Sequence, residues 1–317
     1  MKNFLSIDDV GDPEPLVQLA LSLKSNPYQF ETLGRRKMIG LVFFNPSLRT
    51  RMSMIRAASL VGLDTMVLNI NDDGWKIETR DGVIMDGDQA EHINEAIPVM
   101  SSYCDILAVR LFPSLTDREK DYSEYMLNKF RSLSKAPVIN MESATVHPLQ
   151  SLADLVTIRE YAQVARPKVV LTWAPHPRKL PQAVPNSFLE WTLGAGMDVT
   201  IAHPKGFELA EKFTKGATII HNQDEAFIDA DFIYVKNWSA YTDYGQTSQD
   251  MNWTVNEHKL GLTNDARLMH CLPVRRNVVI ADDALDGEHS VVVEQAANRV
   301  CAAQAVMVKL LQANGTH

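Results

Sequence analysis

Residues 37–61 read KMIGLVFFNPSLRTRMSMIRAASLV, and the change of period inside this stretch decides the fold. From 37 to 44 the apolar character is too continuous for a half-exposed strand, so this segment predicts a buried strand of a parallel sheet. Asn45-Pro46-Ser47 breaks the run, and an amphipathic pattern over 48–61 predicts a helix with Ser47 at its N-cap. A buried strand passing through a short turn into a helix is half of a strand–helix–strand unit.

The same unit recurs along the chain. Apolar or β-branched runs follow at 64–70, 104–112 and 136–141, and a second series at 167–174, 197–204, 217–222, 231–238 and 266–273. Amphipathic stretches over 91–102, 120–133, 150–163 and 184–195 lie between them. The expected class is α/β, with two doubly wound parallel sheets and right-handed crossovers. The break near 141–166 carries a helix and no strand, which predicts two domains joined by a helix around 150–163. A final helix over 294–311 aligns Val300, Ala303, Met307 and Leu310 on one face, suited to packing back on the first domain. One segment, 69–92, is polar, Asp- and Gly-rich and long for an unstructured connection; an exposed Trp75 on it favours a binding or interface role.

Composition narrows the function. The chain has 317 residues and is 45% hydrophobic, with a formal charge of −8, which argues against nucleic acid or an anionic membrane as main partner. Three cysteines, Cys104, Cys271 and Cys301, without a CxxC pair, predict reduced thiols in a cytoplasmic protein. The N-terminus turns acidic before any long apolar region, so no signal peptide is expected, and no run has the length of a membrane span. No cofactor or metal is expected.

In such an acidic chain the basic stretch after the first strand stands out. At the start of a helix the N–H groups of the first turn point outward and the macrodipole adds positive potential. Ser47, Arg49 and Thr50 there form a phosphate cradle without the glycines of a P-loop. An N-cap serine beside two solvated arginines, Arg49 and Arg51, explains the local pattern equally well. The other strand ends decide between them, because ligands of open α/β sheets bind beyond the carboxyl ends of the strands. Those ends carry Arg110, Glu142, His147, Gln150, Lys236, His270 and Cys271. His147 and Gln150 are three residues apart, so both can face one point, the imidazole polarising a carbonyl and the amide gripping an NH2 group. A zinc site from His147, His270 and Cys271 lacks local ligand pairs.

SLRTR, HPLQ and HCLP, in this order and spacing, with the C-terminal EQAANR, resemble the transcarbamylases, the family of the aspartate and ornithine enzymes. The resemblance implies a carbamoyl-phosphate domain over residues 1–145, completed by the helix over 294–317, and a second-substrate domain over 146–293. It implies a homotrimer with active sites between subunits. Ser47, Leu48 through its N–H, Arg49 and Thr50 would hold the phosphate, and Arg110 would bridge phosphate and carbamoyl oxygen. His147 would bond the carbonyl oxygen, Gln150 with Cys271 and Leu272 would orient the carbamoyl nitrogen, and Arg299 would stand near carbamoyl phosphate.

The ornithine enzymes' Asp-x-x-x-Ser-Met-Gly loop is missing; the region after Lys236 reads KNWSAYTDYGQ. With the Pro-rich loop 173–187 and DDGWKIE, the chain looks like the N-acylornithine branch. There, Trp75 would reach a neighbouring subunit's site, Glu142 would meet the side-chain amine, Lys236 a carboxylate, and His176 would be a further contact. The resemblance implies that the residue before Glu91 would read the acyl group, the branch tending to have Glu there for acetyl and Pro for succinyl. Ala90 has no charge to repel a succinyl carboxylate, and Val279 stands where some acetyl-type members have lysine. Ala90 thus permits succinyl without excluding acetyl, and with Val279 the expectation tips to N-succinylornithine, with N-acetylornithine the alternative and plain ornithine more distant. A nucleotide-dependent dehydrogenase would need a GxGxxG that no strand here precedes. A non-catalytic family member would be expected to have lost a residue such as Arg49 or His147, and both are present.

Overall fold

The computed structural model describes residues 1–70 and 72–314; Asn71 of the polar segment and the last three residues of the expected 294–317 helix lie outside the described residues. The strands are β1 (Met38–Phe43), β2 (Asp64–Asn69), β3 (Ile77–Glu78), β4 (Glu91–His92), β5 (Ile106–Arg110) and β6 (Val138–Glu142). They continue as β7 (Lys168–Trp173), β8 (Asp198–Ala202), β9 (Thr218–Ile220), β10 (Phe232–Lys236) and β11 (Arg267–Met269). All nine apolar runs named above are strands.

They form two parallel sheets, ordered β2-β1-β5-β6 and β11-β10-β7-β8-β9. Each is wound outward from its middle. In the first, the chain leaves β1 toward β2 and returns on the other side at β5; in the second, it leaves β7 toward β8 and returns at β10. Reversals of this kind open a crevice beyond the strand ends, because the two neighbouring connections depart to opposite sides. Ser47 and Arg110 follow the first reversal, and His176 and Lys236 the second.

The helix Leu48–Val61 begins at Ser47, whose Oγ accepts from the Thr50 N–H at 3.3 Å. It ends at Gly62, with φ +79°, where a Cβ would meet the Glu31 carbonyl oxygen at 2.2 Å, so only glycine fits. The helix Pro148–Tyr161 is buried all round from Pro148 to Ile158. It has no polar face because it runs through the junction, packed on the helices Glu14–Ser25, Ala183–Gly194 and Val292–Asn314. The last of these also lies on Leu48–Val61, as its apolar face predicts, and buries Ala303, Met307 and Leu310.

Two segments differ from expectation. The stretch 120–133 is two helices, Arg118–Tyr122 and Tyr125–Leu133, broken at Glu124 with φ +50°. The cause is long-range: Glu124 Oε1 accepts from Thr145 N at 2.7 Å and from the hydroxyls of Ser143 and Thr145, anchoring the turn that leads to His147. The polar segment is partly ordered by a two-residue parallel ladder, β3 with β4. Asp81 secures it to the Tyr125–Leu133 helix through the Tyr125 hydroxyl and, at 2.5 Å, Lys129 Nζ.

Candidate active site

A cavity of about 490 Å³ opens between the two reversal points. Ser47, Leu48, Arg49, Thr50 and Arg110 line it from the first sheet's side, and Glu142, His147 and Gln150 from the junction. His176, Lys236, Cys271 and Leu272 come from the second sheet's side, and Arg299 from the C-terminal helix. The sequence-predicted residues therefore meet at one place, apart from Trp75 and Ala90, which lie outside this lining. Arg51 is exposed and does not line it, so the SLRTR motif contributes one arginine.

The end of the cavity on the first sheet's side is strongly positive. Burial, and then the neighbouring Arg110 charge, brings Arg299 down to about 10, and burial with a smaller push from Arg110 also lowers Arg49. Such a cluster is stable only with anions or hydrogen-bond acceptors beside it. Arg299 Nη1 donates to Gln150 Oε1 at 2.6 Å and Nη2 to Thr50 Oγ1 at 2.8 Å. Arg110 Nη1 pairs with Glu142 Oε2. The buried Nε atoms of Arg49, Arg110 and Arg299 have no hydrogen-bond partner among the described residues. Unpartnered buried guanidinium N–H groups at a helix N-terminus are what an oxyanion ligand would satisfy.

His147 caps the Pro148–Tyr161 helix, with Nε2 3.5 Å from Glu142 Oε2. Complete burial, and then Arg299, Arg110 and Lys236, hold its pKa well below the usual histidine value. It is a neutral imidazole near pH 7, able to donate one N–H to a carbonyl oxygen. Burial raises the Cys271 thiol, so it stays protonated and packs rather than attacks. Its neighbour Leu272 holds φ +53°, a left-handed conformation costly for leucine, and donates its N–H to His270 Nδ1 at 2.8 Å. Among the described residues no group of three or more His, Cys, Asp or Glu is arranged to hold a metal.

The end on the second sheet's side is positive too, but open. His176 Nδ1 meets the Arg178 backbone, and its Nε2 accepts from Arg275 Nε at 3.2 Å. Burial lowers the His176 pKa first, and the charges of Lys236, Arg275 and Arg178 lower it further. Arg178 and Arg275 were missed in the sequence, because lone arginines on loops carry no periodic or motif signal.

Trp75 is 61% exposed, and its indole N–H donates to Glu91 Oε2 at 2.8 Å. Ala90, exposed on the same ladder, donates its N–H to the Lys76 carbonyl at 3.1 Å. Both are exposed residues of the polar segment, each bonded to a neighbour of the other.

Residues 2–160 match the model of the aspartate/ornithine carbamoyltransferase carbamoyl-P binding domain, and residues 181–310 that of its Asp/Orn binding domain. The chain is 51% identical over 315 residues to an N-succinylornithine carbamoyltransferase of Bacteroides thetaiotaomicron, covering 98% of this chain and 99% of that one. It is 36% identical to an N-acetylornithine carbamoyltransferase of Xanthomonas campestris pv. campestris, covering 98% of each. Among solved structures it is similar to a mutant N-acetyl-L-ornithine transcarbamylase complexed with carbamyl phosphate and N-succinyl-L-norvaline. That match has a TM-score of 0.91 and 36% identity, over 98% of this chain and 100% of that one. With both domain models matched in order and the motif residues gathered in one cavity, the chain belongs to the aspartate/ornithine carbamoyltransferase family and is a carbamoyltransferase.

Proposed function

We propose that this enzyme moves the carbamoyl group of carbamoyl phosphate to the side-chain amine of N-succinyl-L-ornithine, giving N-succinyl-L-citrulline and phosphate in arginine biosynthesis. The observation that carries the choice of acceptor is the basic rim of Lys236, Arg275 and Arg178 around His176. A succinylated ornithine brings two carboxylates, one more than its acetyl counterpart, and each gains from a guanidinium or ammonium partner. Ala90 adds no opposing charge.

In the reaction, the amine lone pair attacks the carbamoyl carbon, the bond from that carbon to the phosphate oxygen breaks, and the electron pair leaves with phosphate. The amine proton ends on phosphate. Ser47, the N–H of Leu48, Arg49 and Thr50 bind the phosphate, and Arg110 spans phosphate and carbonyl oxygen. His147 donates to the carbonyl oxygen where charge develops, and Gln150 with the Cys271–Leu272 backbone orients the carbamoyl NH2. Glu142 faces the attacking amine. Residues 1–145 with the C-terminal helix form the donor domain and 146–293 the acceptor domain, a division supported by the two separate sheets.

The working unit in this reading is a homotrimer in which Trp75 and Ala90 enter a neighbour's cavity. Support comes from the exposure of Trp75 and of Ile84, the latter 86% exposed, on a segment outside its own cavity lining. We place the enzyme in the cytoplasm, in keeping with three free cysteines. Among the described residues no helix is long and apolar enough to cross a membrane.

The test is ureido-product formation from carbamoyl phosphate with N-succinylornithine, N-acetylornithine, ornithine and aspartate in turn. Turnover with N-succinylornithine above the other three is expected. Preference for N-acetylornithine would reassign the acyl group, and turnover with free ornithine or aspartate would overturn the acceptor reading.

A further inference from the structure

The donor side of the cavity leans on a residue that does not line it. Asp154 is fully buried, one helical turn beyond Gln150. Its Oδ1 accepts from two side-chain amides, Gln150 Nε2 at 2.8 Å and Gln295 Nε2 at 2.7 Å. An amide donates only from nitrogen and accepts only at oxygen, so each glutamine turns its Oε1 the other way. Gln150 Oε1 accepts from Arg299, and Gln295 Oε1 accepts from the His270 backbone N–H at 2.8 Å. Arg299 in turn donates to Thr50. One carboxylate oxygen thus sets the orientation of both amides, in a continuous chain from Thr50 to the HCLP turn.

We propose that Asp154 is a positioning residue of carbamoyl transfer, fixing Gln150 and, through Gln295, the His270–Leu272 backbone against the carbamoyl group. This rests on the cavity being the carbamoyl-phosphate site. A reversed Gln150 would set its NH2 against the Arg299 guanidinium, two buried donors face to face, and would withdraw the oxygen that grips the carbamoyl nitrogen. The second oxygen, Asp154 Oδ2, and the Tyr234 hydroxyl are both buried with no hydrogen-bond partner among the described residues. Burial raises the Asp154 carboxyl to about 7, so the role does not depend on a full charge. Asparagine keeps the accepting Oδ1 and places an NH2 where Oδ2 stands, which makes Asp154→Asn the conservative variant.

The experiment measures kcat and both KM values for Asp154→Ala, Asp154→Asn, Gln295→Leu and Arg49→Ala, with circular dichroism and thermal melts as checks of folding. Asp154→Ala is expected to lose about 100-fold in kcat/KM for carbamoyl phosphate, with the acceptor KM within about twofold. Asp154→Asn should recover to within about fivefold of wild type, and Gln295→Leu should lose about tenfold. Folded Asp154→Ala with near wild-type kcat/KM, or equal damage in the Ala and Asn variants, would overturn the proposal. If Asp154→Ala does not fold, Gln295→Leu decides: a loss confined to the carbamoyl-phosphate constants supports the proposal, and unchanged constants overturn it. An active Arg49→Ala enzyme would bring down the site reading itself. An inactive one beside an unimpaired Asp154→Ala would sink only the positioning role.

Discussion

The two ends of the cavity are both basic, yet they are built differently. At the donor end, Thr50, Arg110, Glu142, His147, Gln150 and Arg299 are buried and most are bonded to one another, all but Arg299 on helix starts and strand ends. At the acceptor end, Lys236 is partly exposed and Arg178 and Arg275 are exposed, two of the three on loops, held by little besides His176. A rigid, pre-ordered end suits a substrate with a single shape and a developing charge; a loop-borne end can be re-read by substitution without disturbing the chemistry.

The hardest way to break this contrast is to remove a donor-end arginine. Arg49→Ala should lower kcat/KM for carbamoyl phosphate by at least about 100-fold while the thermal melt stays cooperative. Steady-state kinetics at varied carbamoyl phosphate check this, and unaltered constants would remove Arg49 from the site.

The acceptor end should respond in a different constant. Lys236→Ala should raise the acceptor KM by roughly 10- to 100-fold, the cost of one charge-assisted hydrogen bond, and leave the carbamoyl-phosphate KM nearly unchanged. Parallel effects on both KM values would erase the distinction between the ends.

Trp75 sharpens the comparison across subunits. Mixing inactive Arg49→Ala chains with impaired Trp75→Ala chains should restore activity to about a quarter of wild type or less, in trimers where one intact cavity meets one intact loop. Mixtures no more active than their components would confine each site to one chain.

The smallest expected effect concerns acid. His147 is neutral and buried, so its folded pKa lies below the unfolded value of about 6.5. Its contribution is present above that value and is lost as pH falls toward the folded pKa, because the unfolded chain takes up the proton first. Relative to His147→Gln, the wild type should lose up to about 1.4 kcal/mol per pH unit below pH 6.5, read by urea unfolding at pH 7, 6 and 5. A constant difference would mean that the folded and unfolded chains take up the His147 proton at the same pH, so that burial does not lower its pKa.

Much of the fold could be read in the sequence because buried parallel strands are written as local apolar runs. Each of the nine named runs, from 37–44 to 266–273, is a strand, and the helix 48–61 has the expected bounds. The break at Glu124 could not be read, since its cause lies about 20 positions away in the turn that Glu124 holds. Site residues at strand ends, such as Arg110 and Lys236, follow from topology. Asp154 and Gln295 looked like ordinary helix positions, and only the packing of two helices distant in sequence makes them partners. Arg178 and Arg275 were hidden for the same reason, a shared neighbour in space.

The Arg299–Thr50 hydrogen bond joins residues 249 positions apart. During synthesis at roughly 5–20 residues per second, the first sheet and its phosphate-facing helix leave the ribosome well before the arginine that completes them. A nascent chain that has not yet released its last helix therefore has the cradle but not the keystone. Carbamoyl phosphate, an unstable acyl phosphate, meets an ordered site only once translation is nearly finished.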